Sequence, residues 1–121
     1  MSGAGRQEVL APWDIVRVDF PFADRAATRR RPALVIAATP TSGAFAILWV
    51  LMITSAAHAR WPFDVPISDL RLGGLSHACI VRVSKVTSLD SRLTARIGEL
   101  STPDREKVTA GLRALLGAVL G

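Results

Sequence analysis

Three consecutive arginines, Arg29, Arg30 and Arg31, stand immediately before Pro32 and the apolar run PALVIAA. Guanidinium groups repel one another, and each of them binds a phosphate through two parallel hydrogen bonds. The triplet therefore predicts either a solvated loop or a place where an anion is held. Because proline fixes its own φ angle and biases the residue before it towards an extended conformation, Arg31 is the arginine whose side chain is aimed most firmly.

A second set of polar groups follows the longest apolar run, AFAILWVLMI (residues 44–53). Thr54 and Ser55 end this run and open a loop, so a hydroxyl group there can point at a phosphate. His58 lies in the same loop and is predicted to contact a substrate. Arg82 lies in the middle of a later apolar segment and can join these groups from the same face of a sheet.

Composition and charge favour a polyanionic partner. The chain has 121 residues, the size of one domain, and a formal net charge of +5 at pH 7. Such a balance suits nucleic acid, anionic lipid or an acidic protein. The thirteen arginines against two lysines also fit a GC-rich genome, so the positions of the arginines are more informative than their number. A hydrophobic content of 50% indicates an interface as well as a core.

Several classes of protein are excluded by the same reading. The longest apolar run is shorter than the ~20 residues that span a bilayer, and the N-terminus lacks the pattern of a signal peptide. Cys79 is the only cysteine, which excludes an intrachain disulfide framework and suggests a small buried residue. We expect a cytoplasmic protein without a membrane partner, a metal site or a cofactor. Nothing in the sequence brings His58 and His77 together as a pair of imidazoles.

Apolar periodicity predicts mainly strands, followed by one helix. We expect a single domain over residues 1–121 with a flexible N-terminus over residues 1–12. Short connections favour antiparallel pairing, hence a small β-barrel or β-sandwich with a packed helix. Two glycines in the helix, Gly111 and Gly117, are tolerable where a sheet packs closely against them. The predicted strands are residues 14–20, 32–38, 44–53, 63–67 and 77–86; residues 89–98 are predicted to hold one or two helical turns, and residues 103–120 a helix with Thr102 as its N-cap.

Six blocks of the chain, in order, resemble the MazF/PemK (Kid) family of toxins from type II toxin–antitoxin systems. They are WDIVRVDFPFAD, RRRPALVI, LMITSA, WPFDVPI, GGLSHACIVRVSKVTSLD and RIGELSTPD, and they cover nearly the whole chain from Trp13. The resemblance implies an SH3-like β-barrel with a C-terminal helix, shared with CcdB, and a homodimer. It also implies sequence-preferring cleavage of single-stranded RNA without metal, and a cognate antitoxin whose extended tail blocks the site.

The resemblance assigns roles to particular residues. It implies that Arg31 and Thr54 are catalytic, and that Arg82 and Ser55 support the transition state. Asp24, the only acid left in the first loop, is a candidate base. The RNA-binding candidates are Arg29, Arg30, His58 and Arg60.

The sequence departs from the family pattern in three places. Trp13 stands where a glycine is usual, before the first-strand aspartate. The first loop lacks the acidic stretch of some members, and Ser84 stands where an acid often follows the arginine of the fifth strand. The identity of the general acid and base is therefore left open.

Two other functions fit the same architecture. One is a non-enzymatic toxin like CcdB that poisons DNA gyrase, although the C-terminal sequence ALLGAVLG lacks the aromatic residues expected for gyrase contact. The other is a catalytically inactive barrel that binds RNA or protein.

Overall fold

A computed structural model describes residues 9–20 and 29–121. They form an antiparallel sheet followed by one helix, which confirms the predicted mainly-β class with a C-terminal helix. The elements are β1 (Asp14–Phe20), β2 (Arg29–Pro40), β3 (Ala46–Ser55), β4 (Asp64–Pro66), β5 (Cys79–Asp90), a 3₁₀ turn (Ser91–Leu93), β6 (Thr94–Glu99) and α1 (Thr102–Leu120).

The prediction of a closed barrel is wrong. The strands form one open sheet in the order β4-β5-β3-β2-β1-β6, in which β4 and β6 have no pairing with each other. Residues 69–75 lie along the outer side of β6, where the Glu99 N–H donates to the Leu72 carbonyl at 3.0 Å. At the other edge, β4 is only three residues long and ends in Pro66, which lacks the N–H needed to extend a ladder.

Two further predictions about local structure are wrong. Residues 89–98 form the end of β5, the 3₁₀ turn and most of β6, because β1 offers the 94–99 segment a partner through pairs such as Val18↔Thr94. Pro32 does not start its strand: β2 begins at Arg29 and pairs Pro32 with Arg17. The ladder between β2 and β3 begins only at Ala33, so Pro32 lies where β2 has one partner strand, and a missing N–H is tolerated there.

Each face of the sheet carries its own apolar cluster. On one face, which we call the helix face, Leu51, Ile53 and Val81 pack with Val108 of α1. The opposite face, which we call the site face, carries buried side chains from the three central strands: Val16, Val18, Ala33, Val35, Leu48, Val50 and Met52. Alternate residues of each strand serve the two clusters, so these strands are apolar on both faces.

The helix is held against the sheet at its N-terminal half. It begins at Thr102 after Ser101, which serves as N-cap in place of the predicted Thr102. Asp104 in the first turn is buried and accepts hydrogen bonds from the N–H and the hydroxyl of Ser68, at 2.7 and 3.0 Å. A Cβ at Gly111 would lie 3.3 Å from Val83, which confirms close packing there. Within the described residues, no helix is long and apolar enough to cross a membrane.

Candidate functional site

Arg31 lies on β2 with its side chain exposed. The recorded pairing of β2 with β3 ends at Ala33 opposite Met52, and the same register continued for two more residues sets Arg31 across from Thr54. Alternate residues of a strand share a face, so both belong to the site face with Ala33 and Met52. Within residues 9–20 and 29–121, Arg31 forms no salt bridge, and its exposed side chain can reach an anion.

Thr54 is joined to a histidine four residues later. Its Oγ1 lies 2.6 Å from Nδ1 of His58, a hydrogen bond in which either atom donates according to the histidine tautomer. The turn that makes this contact is fixed by Ser55, whose carbonyl accepts the His58 N–H at 3.1 Å and whose hydroxyl accepts the Ala57 N–H at 3.2 Å. A hydroxyl and an imidazole in contact are groups that exchange protons with a substrate.

The sequence reasoning placed Thr54 and His58 in one loop but missed their contact. The signal in the sequence for this contact is that Thr54 and His58 are four residues apart, just after a strand. Whether the two side chains then meet depends on the shape of the turn. The Ser55 hydroxyl helps to fix that shape by accepting the Ala57 N–H.

Arg82 lies beneath the loop of residues 56–63, which we call the 56–63 loop. It is only 8% exposed, and its Nη2 is 3.5 Å from Oδ2 of Asp64, whose side chain is 1% exposed. The guanidinium donates to the Ala59 carbonyl and lies 4.2 Å from the centroid of the Trp61 ring. Asp64 also accepts the Trp61 N–H at 2.8 Å. Arg82 thus binds the loop from within and presents no open face to solvent.

The remaining candidates are spread more widely. Arg30 points away from the site face, by strand alternation, and lies 3.4 Å from Oδ1 of Asp19. Arg60 is exposed in the 56–63 loop beside His58. Asp24 and the side chain of Arg29 lie outside the described part of the structure.

No group of three histidine, cysteine or carboxylate side chains in residues 9–20 and 29–121 has the arrangement of a metal site. Cys79 is buried at the start of β5, next to the strands that carry the site. Burial raises the pKa of its thiol, so the sulfur stays protonated and is a poor nucleophile.

Residues 11–116 match the family described as the PemK-like, MazF-like toxin of the type II toxin–antitoxin system. The chain belongs to that family. A match over nearly the whole domain confirms the resemblance that the six sequence blocks carry, and identifies the chain as a toxin of this class.

Solved structures of other PemK/MazF-family toxins share the fold. MazF from Deinococcus radiodurans is 28% identical, with a TM-score of 0.66 over 92% of this chain and 99% of that chain. In the MazE–MazF complex of the same organism the corresponding values are 27%, 0.66, 92% and 98%. The Mycobacterium tuberculosis toxin MazF-mt6 is 14% identical, with a TM-score of 0.64 over 86% and 96% of the two chains, and shows the fold alone. No curated protein sequence matches the chain.

Trp13, just before β1, has a backbone conformation that suits the glycine which the family resemblance leads one to expect there. Its φ angle is +81°, a value that glycine adopts freely and that strains a bulky residue. The tryptophan is kept there by its backbone, whose N–H donates to Val35 at 2.8 Å and whose carbonyl accepts from Leu100 at 3.0 Å. Its ring also lies 5.8 Å from the Arg105 guanidinium.

Proposed function

We propose that this PemK/MazF-family toxin is a metal-independent endoribonuclease that cleaves single-stranded RNA with a sequence preference in the cytoplasm. The observation that carries the proposal is a threonine hydrogen-bonded to a histidine at the end of the site face toward which the register of β2 and β3 also brings the exposed Arg31. These are the groups that phosphoryl transfer by a neighbouring hydroxyl requires: a cation, a hydroxyl donor and a proton carrier.

In the proposed reaction the 2′-oxygen attacks the adjacent phosphorus, and its proton passes to the imidazole of His58. The bond from phosphorus to the 5′-oxygen breaks, that oxygen takes a proton from solvent water, and His58 afterwards gives its proton back to solvent. The products are a cyclic phosphate and a 5′-hydroxyl end. Arg31 and the Thr54 hydroxyl stabilise the negative charge that grows on the phosphoryl oxygens. We assign the proton to His58 because its ring nitrogen lies 2.6 Å from the Thr54 hydroxyl, and imidazole is a common general base in catalysis.

The other candidates serve this site in supporting roles. We propose Arg82 and Ser55 as positioning residues, because the contacts of both are made to the 56–63 loop and not outwards. Arg29 and Arg60 are proposed to bind RNA phosphates near the site, and Arg30 to contact the RNA from the other face of β2. Asp24 stays a candidate base from the sequence alone.

We further propose that the toxin is a homodimer. The helix face continues beyond α1 into the exposed apolar side chains of Ile47, Trp49 and Val86, the last two of which are 54% and 58% exposed. The C-terminal half of α1 adds Val119 and Leu120, which are 81% and 75% exposed. Large apolar side chains left exposed in this number are typical of an interface. Sedimentation that finds only monomer at micromolar concentration would contradict the dimer.

A cognate antitoxin is the second proposed partner. The solved complex of MazE with MazF from Deinococcus radiodurans contains a relative of this chain. The net charge of +5 and the exposed arginines near Thr54 suit an acidic peptide that occupies the RNA site. Co-expression with the antitoxin is expected to relieve growth arrest.

The test is to incubate the protein with a long single-stranded RNA in EDTA and to map the ends of the fragments. We expect cleavage at a short recurring sequence with 5′-hydroxyl ends. Arg31→Ala should lower the rate by about 10²–10³-fold, the usual loss of one charge-stabilising donor. Its matched control is Arg30→Ala, the neighbouring arginine on the other face of β2, which should raise KM and leave kcat nearly unchanged.

The other results of this experiment discriminate among functions. Intact RNA with inhibited DNA supercoiling would favour a gyrase poison, and tight RNA binding without cleavage would favour an inactive binding domain. Cleavage that Arg31→Ala leaves unchanged would preserve the enzyme but remove Arg31 from its site.

A further inference from the structure

We propose that Trp61 is a stacking platform for one nucleobase of the single-stranded RNA, with Arg82 packed beneath it as a positioning residue. The proposal rests on the proposed function and names a subsite for its substrate. The observation behind it is that the half-exposed indole of Trp61 lies on the buried guanidinium of Arg82 at the border of the candidate site.

The two sides of the Trp61 ring differ. Arg82 covers one side, with its Cζ 4.2 Å from the ring centroid, and Arg82 itself is only 8% exposed. Trp61 is nevertheless 43% exposed. Since the protein-facing side is occupied, the exposure belongs to the other side and to the ring edges. A flat aromatic surface of this kind stacks on any base, because every base has a π face.

The ring is held in place before any ligand arrives. Its backbone N–H donates to Asp64 at 2.8 Å, and the guanidinium beneath it also donates to the carbonyl of Ala59, two residues earlier. Phe63, two residues later, has a φ of +69°. A bulky residue persists in that strained region only where its surroundings over-determine it. Stacking on a fixed ring loses less conformational entropy than stacking on a mobile one.

The platform lies beside the groups that would hold the scissile phosphate. Thr54 pairs with Ile80 of β5, and Arg82 is two residues further along the same strand and on the same face. Diagonal neighbours of this kind are about 7–8 Å apart. Trp61, above Arg82, is thus next to the Thr54–His58 pair, and Arg60 precedes it in the loop. A chain whose phosphate lies at Thr54 can place a neighbouring base on the indole.

Trp49, on the surface proposed for the dimer, gives a contrast within the same molecule. It is 54% exposed on the helix face, and its neighbours Ile47 and Val86 are exposed and apolar. Trp61 has instead a cation behind it and His58 and Arg60 near it in the chain. The polar and cationic surroundings favour a nucleic acid over a second protein surface.

The test measures binding of short, single-stranded, 2′-O-methylated RNA of mixed sequence, which resists cleavage because its 2′-oxygen carries no proton. Trp61→Leu should weaken binding by about 5- to 150-fold, the range for loss of one stacked base. An abasic oligonucleotide of the same backbone should bind wild type and Trp61→Leu equally. Trp61→Phe keeps a ring over Arg82 and should retain most of the affinity, which guards against a folding defect.

Tryptophan fluorescence gives an independent reading of the same contact. The RNA should quench wild type and Trp49→Phe, and the quenching should be lost in Trp61→Phe. Phe45→Leu, which removes the ring beneath a different arginine, Arg92, should bind as wild type does.

Each remaining outcome counts against the platform. Quenching retained in Trp61→Phe, or equal losses of affinity for the intact and abasic oligonucleotides in Trp61→Leu, would overturn it while RNA binding stands. An effect of Trp61→Leu on antitoxin binding alone would assign the ring to a protein partner. Failure of wild type to bind any RNA would overturn the proposed function as well.

Discussion

Near the two ends of β5, Arg82 and Arg92 make the same kinds of contact in different surroundings. Each lies over an aromatic ring, at 4.2 Å from Trp61 and 4.3 Å from Phe45. Each also faces an aspartate that accepts a nearby backbone N–H. The side chains of Arg82 and its aspartate are 9% and 1% exposed, whereas those of Arg92 and its aspartate are 54% and 28% exposed.

Judged by distance, the exposed pair should contribute more to stability; judged by burial, the buried pair should. The exposed pair is the closer, at 2.6 Å against 3.5 Å, yet water screens it and many such surface pairs contribute nothing measurable. The buried pair is strongly coupled to folding because removing one partner leaves a charge in the protein interior. We therefore expect Arg82 to hold the 56–63 loop in place, and Arg92 to act only locally, on Asp90, the N-cap of the 3₁₀ turn.

The largest expected effect comes from breaking the buried pair. Arg82→Ala should lower the free energy of unfolding by about 3–5 kcal/mol, because Asp64 is then a buried charge without its partner. Urea denaturation measures this change. Arg92→Ala is the matched control and should shift the midpoint far less.

A double variant separates the charge from the packing. Arg82→Met with Asp64→Asn removes both charges and keeps an acceptor for the Trp61 N–H, so it should recover much of the stability that Arg82→Ala loses. Equal midpoints for Arg82→Ala and Arg92→Ala would show that burial does not distinguish the two pairs.

The contrast between buried and exposed positions can also be tested without charges, at the two glycines of α1. Nothing lies within 4 Å of a Cβ at Gly117, so Gly117→Ala should raise the free energy of unfolding by up to about 1 kcal/mol. At Gly111 the added carbon would press on Val83 at 3.3 Å, so Gly111→Ala should gain less. Thermal denaturation of both variants measures the difference, and an equal gain would mean that the sheet can move to accept the methyl group.

The smallest effect concerns pH at the exposed pair. The side-chain hydrogen bond from Arg92 lowers the pKa of Asp90 below its ordinary value. The stability gained is present above the ordinary carboxyl pKa and is lost as the pH falls through the lowered one. Carboxyl-carbon NMR should find this lowered pKa in wild type and a pKa closer to the ordinary one in Arg92→Ala, where only the backbone N–H of residue 92 still donates to Asp90. The small stability difference between the two proteins should vanish in acid, and a difference that persists there would point to packing on Phe45.

Local patterns predicted much of this fold. Alternation along residues 14–20 gives β1, and the change of period after Gly98 gives α1 to within one residue of its start. The strand at 94–99 escaped because its partner β1 lies about eighty residues earlier in the chain, and a pattern read along the chain does not contain that pairing. Whether the first and last strands of a sheet pair with each other is likewise absent from such a pattern, which explains why an open sheet was predicted as closed.

The sequence points to the residues of the candidate site but does not reveal how they are arranged. Arg31 and Thr54 stand out by their positions at the ends of apolar strands. The burial of Arg82 follows from Asp64 on the neighbouring strand, which a mid-strand arginine does not reveal by itself. The Thr54–His58 contact depends on a turn, and the position of Trp61 depends on both.

The open sheet has a consequence for how copies of the toxin meet. A closed barrel has no edge strands, whereas this sheet leaves two, and an exposed edge is a template for pairing with another chain. One edge is shortened to three residues and ended by Pro66, and the other is covered where Glu99 bonds to Leu72. Both edges therefore discourage the strand-by-strand pairing of many copies into aggregates. Copies of the toxin are left to associate through side chains on the faces of the fold, and such contacts can stop at a fixed number of copies.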